Sequence, residues 1–195
     1  MPKIVDHNER RREVLSAARR VIVRDGLDAA TTRAIAKEAG YSNGVLAHYF
    51  ADKDEILLSA LRQSHQRIRE RITRKVEGVT GLAALRELLL DNLPLDGERT
   101  QETRLEVSFW SRSLASERLA EVQRAEAEEL RSAVHRLLAD ARAAGELTTD
   151  ENLDDLTEHL LALVDGLSLH LLLYPGRLTR VDLERHLLTA LDRLG

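Results

Sequence analysis

The apolar side chains of this chain recur with the spacing of an α-helix wherever they form a clear pattern. Residues 8–25 carry them three or four positions apart: Val14, Leu15, Ala18, Val21 and Ile22. Such residues share one face of a helix, and Gly26 stands where a helix would end. No stretch alternates apolar and polar residues as a half-buried strand does. The pattern therefore predicts an all-α protein.

Eight further segments show the same helical spacing, which makes about nine predicted helices. They cover residues 32–39, 43–49, 53–77, 81–92, 99–114, 116–144, 150–173 and 179–194. The third helix is barely two turns long, whereas the fourth would extend for roughly 35 Å at 1.5 Å per residue. We expect an N-terminal three-helix bundle in residues 1–53 and a larger helical domain in residues 54–195.

Composition narrows the class of protein. The 195 residues are 43% hydrophobic and 32% charged and include no cysteine, which excludes disulfide bonds and cysteine metal sites. The N-terminal residues lack the apolar core of a secretory signal. The most apolar run, residues 160–174, is shorter than a bilayer span and contains Asp165 and His170. We therefore expect a cytoplasmic protein with no membrane partner.

Charge is unevenly distributed along the chain. Residues 1–53 contain ten basic and seven acidic side chains, a net charge of +3, whereas the whole chain carries −4. The remaining residues therefore carry −7. A basic N-terminal segment joined to an acidic remainder favours a protein that binds nucleic acid through one domain only. A chance fluctuation in composition is the alternative.

The stretch TTRAIAKEAGYSNGVLAHYFADKDE, residues 31–55, has the spacing of a helix-turn-helix motif. With Thr32 as the first position, Ala36 falls where the two helices touch and only a small side chain fits. Gly40 falls at the turn, where a left-handed backbone is needed, and Leu46 falls where the second helix faces the first. The other inward positions are held by Ile35 and Ala39. The short second helix then protrudes, as a helix that enters the major groove of DNA must.

Small and polar side chains crowd this short helix, and they suit contact with DNA better than core packing. The residues expected at base edges are Ser42, Asn43, Gly44, Ala47 and His48. The residues expected at phosphates are Thr31, Thr32, Tyr49 and Lys53, and Arg33 is a further residue expected to bind DNA. Asn43 suits an adenine edge, and His48 suits a guanine edge or a phosphate. Structural roles stay open: Thr31, Thr32 or Ser42 as helix caps, Tyr49 as a core residue, and His48 as a merely exposed side chain.

The same residues carry a resemblance to a known family. Residues 8–60 resemble the DNA-binding domain of the TetR family of transcriptional regulators, which the following residues match in order: Gly40, Ser42, Gly44, Tyr49, Phe50 and Lys53. The segments PKIVDHNERRREVL, RLEVSFWSRSL and DGLSLHLLL are similar to the branch that contains the choline–betaine repressor. Many members carry an aromatic residue where this chain has Ala47, so that position is expected to contact a base instead of a phosphate.

The resemblance implies a homodimer in which two copies of the third helix contact a palindromic operator on double-stranded DNA. It also implies a repressor that is released by a small-molecule effector. Independently, the eighth helix is apolar around nearly its full circumference, which favours an interface with a second copy. The residues expected there are Leu160, Leu163, Val164, Gly166, Leu167, Leu171, Leu183, Leu187, Ala190 and Leu191. An eighth helix buried inside one monomer is the alternative.

Candidates for an effector pocket are fewer. They are Phe109, Trp110, His135, Asp165 and His170. Successive helix residues point about 100° apart, so one of Phe109 and Trp110 can face the core and the other a pocket. Asp165 and His170 interrupt an apolar helix, and they need hydrogen bonds or a ligand if they are buried. A structural hydrogen bond across the dimer is the alternative for this pair.

Two other function classes compete with this interpretation. A hydrolase would use Asp165, Ser168 and His170, but Ser168 and His170 are two residues apart and diverge by about 200° on a helix. The chain has no nucleophile-elbow motif, no phosphate-binding glycine loop and no metal-ligand spacing among its seven histidines. We therefore expect no catalytic residue, no cofactor and no metal. An architectural DNA-binding protein would be strongly basic, which this chain is not.

Overall fold

Nine α-helices account for the regular structure of residues 7–195, the part of the chain that the computed structural model describes. In chain order they are α1 (His7–Asp25), α2 (Thr32–Ala39), α3 (Asn43–Tyr49), α4 (Lys53–Lys75), α5 (Gly81–Asp91), α6 (Gly97–Ser113), α7 (Glu117–Ala143), α8 (Leu153–Leu173) and α9 (Arg180–Leu191). No strand occurs among these residues, and the all-α prediction is confirmed. Residues 1–6 lie outside the described residues. They include the start of the segment PKIVDHNERRREVL and two of the charges counted above, Lys3 and Asp6.

Two helix starts that differ from the prediction carry capping side chains. α8 begins at Leu153 because Asn152 caps it, with the Asn152 side-chain oxygen accepting the Asp154 N–H at 2.7 Å. α6 begins two residues earlier than predicted, and Asp96 Oδ1 accepts the Arg99 N–H at 2.8 Å. Caps of this kind satisfy backbone donors that the first helical turn leaves unpaired. They move a helix boundary without changing the apolar spacing on which the prediction rests.

The chain forms two compact units. The first contains the described residues up to Gln66 together with Arg104–Gln123. α1, α2 and α3 pack with the start of α4 around one apolar core. Large side chains that are almost fully buried there include Ile22, Ile35, Leu46, Ile56, Leu57, Leu61, Leu105 and Phe109. This core holds the predicted helix-turn-helix in place.

The second unit contains Arg67–Thr103 and Arg124–Gly195. Its core is built mainly from leucine, with Leu85, Leu89, Leu93, Val134, Leu138, Leu183 and Leu187 all essentially inaccessible to solvent. α9 packs against both α5 and α8. The start of α9 is fixed by a capping box, in which Thr179 and Asp182 each accept the other's backbone N–H. α4, α6 and α7 each contribute residues to both units. The expected separation of functions at residue 53 stays a prediction.

α8 is only partly covered by its own chain. Its 21 residues are long and apolar enough to cross a membrane by length and composition, and only 28% of its most apolar window is buried. One face packs into the core of the second unit through Leu156, Leu160, Val164 and Leu167. Leu163, Gly166 and Leu171 are only half-buried, and Leu173 is 58% exposed. Of the α9 residues expected at a dimer interface, Leu183, Leu187 and Leu191 are buried within the protomer and Ala190 is half-buried.

Candidate DNA-binding surface

The connection between α2 and α3 is a tight turn with a cap on each side. Thr31 caps the start of α2, where its Oγ1 accepts the Ala34 N–H at 3.1 Å. Gly40 ends α2 in the left-handed conformation, with φ 74° and ψ 25°. A side chain at this position would be strained, and the Tyr41 N–H then returns to the Ala36 carbonyl at 2.9 Å. The structure thus confirms the turn that the spacing predicts.

α3 is fixed to the core through one face and leaves the rest of its surface open. Ser42 caps its start, and Leu46 at 0% exposure packs with Ile35 and Phe50. The remaining predicted base-edge residues of α3 are all exposed: Asn43, Gly44, Ala47 and His48. Ser42 itself is exposed as well as acting as a cap. A seven-residue helix that buries one large side chain of its own has a surface suited to a partner.

The predicted phosphate-contact residues lie on both sides of α3. Thr31 and Arg33 at the start of α2 are exposed, whereas Thr32 is half-buried. Tyr49 at the end of α3 and Lys53 at the start of α4 are also half-buried. Within residues 7–195, neither Arg33 nor Lys53 forms an ion pair, so both charges face solvent or a partner. Helix starts also present unpaired N–H groups, which favours anions there.

Other basic side chains of α1 are already engaged within the first unit. Arg20 Nε lies 2.7 Å from Glu38 Oε1, and Arg24 Nη1 lies 2.9 Å from Glu38 Oε2. Arg20 and then Arg24 lower the pKa of the Glu38 carboxyl by these hydrogen bonds. Arg24 also pairs with Asp25 at 2.8 Å. Part of the basic charge of the N-terminal segment therefore ties α1 to α2.

Two α1 residues that the sequence did not indicate contact the end of α3. The His7 ring lies 5.3 Å from the His48 ring and 4.5 Å from the Tyr49 ring, measured between centroids. Arg11 contacts the end of α3 and the start of α4. A signal for Arg11 was available: it precedes Val14 by three residues and Leu15 by four, which places it at the edge of the buried face of α1. Its position in the run Arg10–Arg12 obscured that signal.

The effector-pocket candidates do not form one cluster. Phe109 is fully buried in the core of the first unit, whereas its neighbour Trp110 is half-buried. Trp110 Nε1–H donates to Glu106 Oε1 at 3.3 Å, and the other oxygen of Glu106 lies 2.8 Å from His65 Nε2. His65 is 8% exposed. Sequence reasoning missed Glu106, although its position four residues before Trp110 places the two on one helix face.

The other three candidates belong to the second unit. His135 is half-buried, with Nε2 3.8 Å from Asp154 Oδ1. Asp165 is exposed. His170 is half-buried and meets the Tyr174 ring edge-on at a centroid distance of 5.4 Å. Among the described residues, no group of three or more His, Asp or Glu side chains is arranged to hold a metal ion.

Family models match both parts of the chain. The model for bacterial regulatory proteins of the tetR family matches residues 14–60. The model for the C-terminal region of BetI-type transcriptional repressors matches residues 81–195, more than half of the chain. The protein belongs to the TetR family. TetR-family proteins of this kind are transcriptional regulators and not enzymes, so the hydrolase interpretation of Asp165, Ser168 and His170 is discarded.

Individual relatives agree with this assignment. The HTH-type transcriptional regulator PksA of Bacillus subtilis is 33% identical over 95% of this chain and 89% of its own length. The HTH-type transcriptional regulator BetI of Escherichia coli is 28% identical over 97% of both chains. A transcriptional regulator of Rhodococcus sp. Rha1 is 29% identical, with a TM-score of 0.83 over 94% of this chain and 95% of that one. The TetR fold extends over nearly the whole chain.

The same fold occurs in a transcriptional regulator of Saccharomonospora viridis that was crystallised in complex with choline. Its TM-score is 0.90 at 24% identity, over 95% of this chain and 96% of that one. At this identity the similarity establishes the fold alone. The TetR fold places a helix-turn-helix near the N-terminus, which is where α2 and α3 lie in this chain.

Proposed function

We propose that this TetR-family regulator is a homodimeric repressor that acts in the cytoplasm, binds a palindromic operator and is released by a small-molecule effector. The observation that carries the proposal is the surface of α3. Leu46 is its one fully buried residue, while Asn43, Gly44, Ala47 and His48 are exposed. In this proposal residues 1–53 bind DNA, and residues 54–195 bind the effector and form the dimer.

Base recognition is assigned to α3. Asn43 has the donor and acceptor needed for an adenine edge, and Ala47 is small enough to touch a thymine methyl. His48 faces a guanine edge or a phosphate, and Ser42 and Gly44 allow the start of α3 to approach the groove. Phosphate contacts are assigned to the residues that flank α3: Thr31, Thr32, Arg33, Tyr49 and Lys53. These contacts set the register of the protein on DNA but carry no sequence information.

The incompletely covered face of α8 supports the homodimer. Leu163 and Leu171 are half-buried and Leu173 is 58% exposed, on a helix whose other face packs into the core of the second unit. A second copy would cover this apolar surface, and a twofold axis would place two copies of α3 on one palindromic site. Gly166 adds no side chain on the same helix, which would allow two copies to approach closely. Leu160, Val164 and Leu167 support the interface from the inner face.

The effector we infer is a small organic molecule that favours one of two conformations by binding it more tightly. Choline is the first compound to test, because a regulator of the same fold was crystallised with it. Trp110 and Glu106 offer an aromatic face and a carboxylate side by side, a combination that attracts organic cations. As the single tryptophan of the chain, Trp110 also provides a fluorescence reporter for titrations with choline and with uncharged analogues.

Selection of DNA ligands from a random duplex pool tests the function directly. We expect the purified protein to enrich a palindrome whose half-sites lie about one DNA turn apart, and to be a dimer by sedimentation. A footprint on DNA flanking its own gene then shows whether the same site occurs there. If the protein binds all duplexes alike, with an affinity that depends only on salt concentration, an architectural role is favoured. Enrichment of a single half-site would contradict the dimer.

A further inference from the structure

Arg11 is the side chain that connects α1 to both ends of the α3–α4 junction. Its Nη1–H donates to the Tyr49 carbonyl at 2.7 Å. Its Nη2 donates to Glu55 Oε1 at 3.1 Å and to the Ser59 hydroxyl at 3.2 Å. The guanidinium also lies over the Phe50 ring, 4.3 Å from the ring centroid. Tyr49, Glu55 and Ser59 are 38, 44 and 48 residues away in sequence, so these contacts join separate elements.

Arg11 caps the end of α3, which is also held by the burial of Phe50 in the core and by the His7 ring, 4.5 Å from the Tyr49 ring. The end of α3 lacks a left-handed glycine cap: Phe50 follows in an extended conformation, with φ −140° and ψ 134°, and its N–H bonds to the Leu46 carbonyl. The last carbonyls of a helix carry partial negative charge and have no partner within the helix. Arg11 supplies a positive donor to the last of them, the Tyr49 carbonyl. A charged donor at this position both satisfies the carbonyl and complements the helix dipole.

Glu55 extends the same set of contacts into the start of α4. Its Oε2 accepts the Ala51 N–H at 2.7 Å while its Oε1 accepts from Arg11. Asp52 Oδ1 accepts the Glu55 N–H at 2.7 Å, which completes a capping pair around the junction. Ala51 and Asp52 are therefore held through Glu55, and Glu55 is held to α1 through Arg11. Loss of Arg11 would leave the junction capped but would remove these hydrogen bonds between α1 and the junction.

We propose that Arg11 is a positioning residue for sequence recognition, setting the orientation of α3 without contacting a base itself. This inference rests on the proposed DNA-binding function. The side chain is 37% exposed, but its donors point at the Tyr49 carbonyl, Glu55 and Ser59. A basic residue that held a phosphate would have donors without protein partners, as Arg33 and Lys53 do among the described residues. A rotated α3 would keep the phosphate-contacting residues near DNA while misplacing Asn43 and Ala47 relative to base edges.

The test compares two duplexes, one selected by the wild-type protein from a random pool and one of the same composition in scrambled order. For Arg11→Lys and Arg11→Gln we expect the selected duplex to be bound about tenfold more weakly or worse, the scale of losing a hydrogen bond to a charged group. For the scrambled duplex, the Arg11 variants should lose no more affinity than Arg12→Ala does. Arg12 is the matched control, because it removes one exposed positive charge from the same helix while its Nε contacts only the Asn8 carbonyl.

Salt dependence separates positioning from phosphate contact. If Arg11 held a phosphate, its loss would weaken both duplexes equally and reduce the slope of log affinity against log salt by about 0.9 per contact. That outcome would overturn the inference. If Arg11 had a purely structural role, a variant would lose affinity only in proportion to its unfolded fraction at the assay temperature. Circular dichroism measures that fraction. Arg11→Lys keeps the charge and the aliphatic stem, and we expect it to remain folded while it loses discrimination.

A double-variant comparison tests whether Arg11 acts through Glu55. Glu55→Gln removes an acidic group beside the DNA-binding surface, so electrostatics alone would strengthen binding to both duplexes. We expect the opposite for the selected duplex, and we expect the Arg11→Gln/Glu55→Gln protein to discriminate no worse than Arg11→Gln alone. Losses that simply add would contradict a shared mechanism. Failure of the wild-type protein to select any sequence would instead refute the proposed function, before any variant is made.

Discussion

Arg71 of α4 and Glu102 of α6 are joined by two parallel hydrogen bonds inside the second unit. The distances are 2.9 Å from Nη1 to Oε1 and 2.7 Å from Nη2 to Oε2. The Glu102 side chain is 5% exposed and the Arg71 side chain 19%. Arg71 Nε also donates to Asp91, whose side chain is inaccessible to solvent and accepts from Lys75 at 2.6 Å as well. The bond to Glu102 is the main cause of the raised pKa of Arg71.

This arrangement makes Glu102 a sensitive position for stability. Glu102→Ala would leave a largely buried guanidinium without one of its two hydrogen-bonded carboxylate partners, and with Glu98 3.9 Å away at an exposed position. We expect the free energy of unfolding to fall by about 3 kcal/mol. Urea denaturation at fixed protein concentration measures the change. The control is Glu158→Ala, which removes one of the two exposed carboxylate partners of Arg131, 2.7 Å away. An exposed pair of this kind contributes little to stability. Equal losses in the two variants would contradict a special role for the buried cluster.

Gly44 gives a prediction in which stability and DNA binding change in opposite directions. A Cβ atom at this position would meet only the Ser42 hydroxyl, at an ordinary 3.8 Å. The fold therefore has room for alanine, and Gly44→Ala should raise the stability of the protein by up to about 1 kcal/mol because alanine favours helix. If the start of α3 approaches DNA closely, the added methyl group should weaken operator binding. Melting temperature and operator affinity measured on the same samples check both expectations.

Gly97→Ala is the matched control for Gly44. Gly97, like Gly44, lies in the first turn of a helix, and nothing lies within 4 Å of the Cβ that alanine would add. We expect Gly97→Ala to leave DNA affinity unchanged. If Gly44→Ala binds the operator as tightly as the unchanged protein does, the prediction that the start of α3 approaches DNA closely is wrong.

The helices were predictable because apolar spacing along the chain records which face of each helix is buried. Ile35, Leu46 and the Gly40 turn follow from spacing within about 15 residues. The burial of Phe109 in place of Trp110 did not follow, because either orientation satisfies the helical pattern. Local spacing places Arg11 at the edge of the buried face of α1, but it does not identify the partners of Arg11 or Glu102. Their partners lie 31 to 48 residues away, and nothing in local spacing records a pairing over that distance.

Lys53 tests the assignment of phosphate contacts. Lys53→Ala should weaken binding to the selected and the scrambled duplex by similar factors, because phosphates are present in every sequence. In a dimer, loss of two phosphate contacts would reduce the salt slope by about 1.8. Binding measured at several salt concentrations gives both quantities. A change in sequence preference with an unaltered slope would contradict the phosphate role.

Asn43 tests the assignment of base recognition. Asn43→Ala should relax discrimination at one base pair in each half-site, by about 1 to 3 kcal/mol for a bidentate contact. Competition between the selected duplex and duplexes with single base changes locates that base pair. Discrimination that stays intact at every position would exclude Asn43 from base recognition. The position that changes would also fix the register of α3 in the major groove.

Glu55 predicts how the first unit responds to acid. The Ala51 N–H and, next, the Arg11 guanidinium lower the pKa of the Glu55 carboxyl below its ordinary value. The stabilisation of the folded state by the ionised Glu55 carboxylate is therefore fully present above the pKa of an unfolded Glu, about 4.3, and is lost as pH falls through the lower folded value.

Glu55→Gln should remove this part of the acid dependence, so the difference in stability from the unchanged protein should shrink as pH falls below about 4. Urea titrations between neutral pH and about pH 3 measure it. Glu184→Gln, which removes an exposed carboxyl of α9, is the matched control for the loss of one acidic group. A Glu55→Gln protein with the same acid dependence as the unchanged protein would show that the Arg11–Glu55 contact does not stabilise the junction.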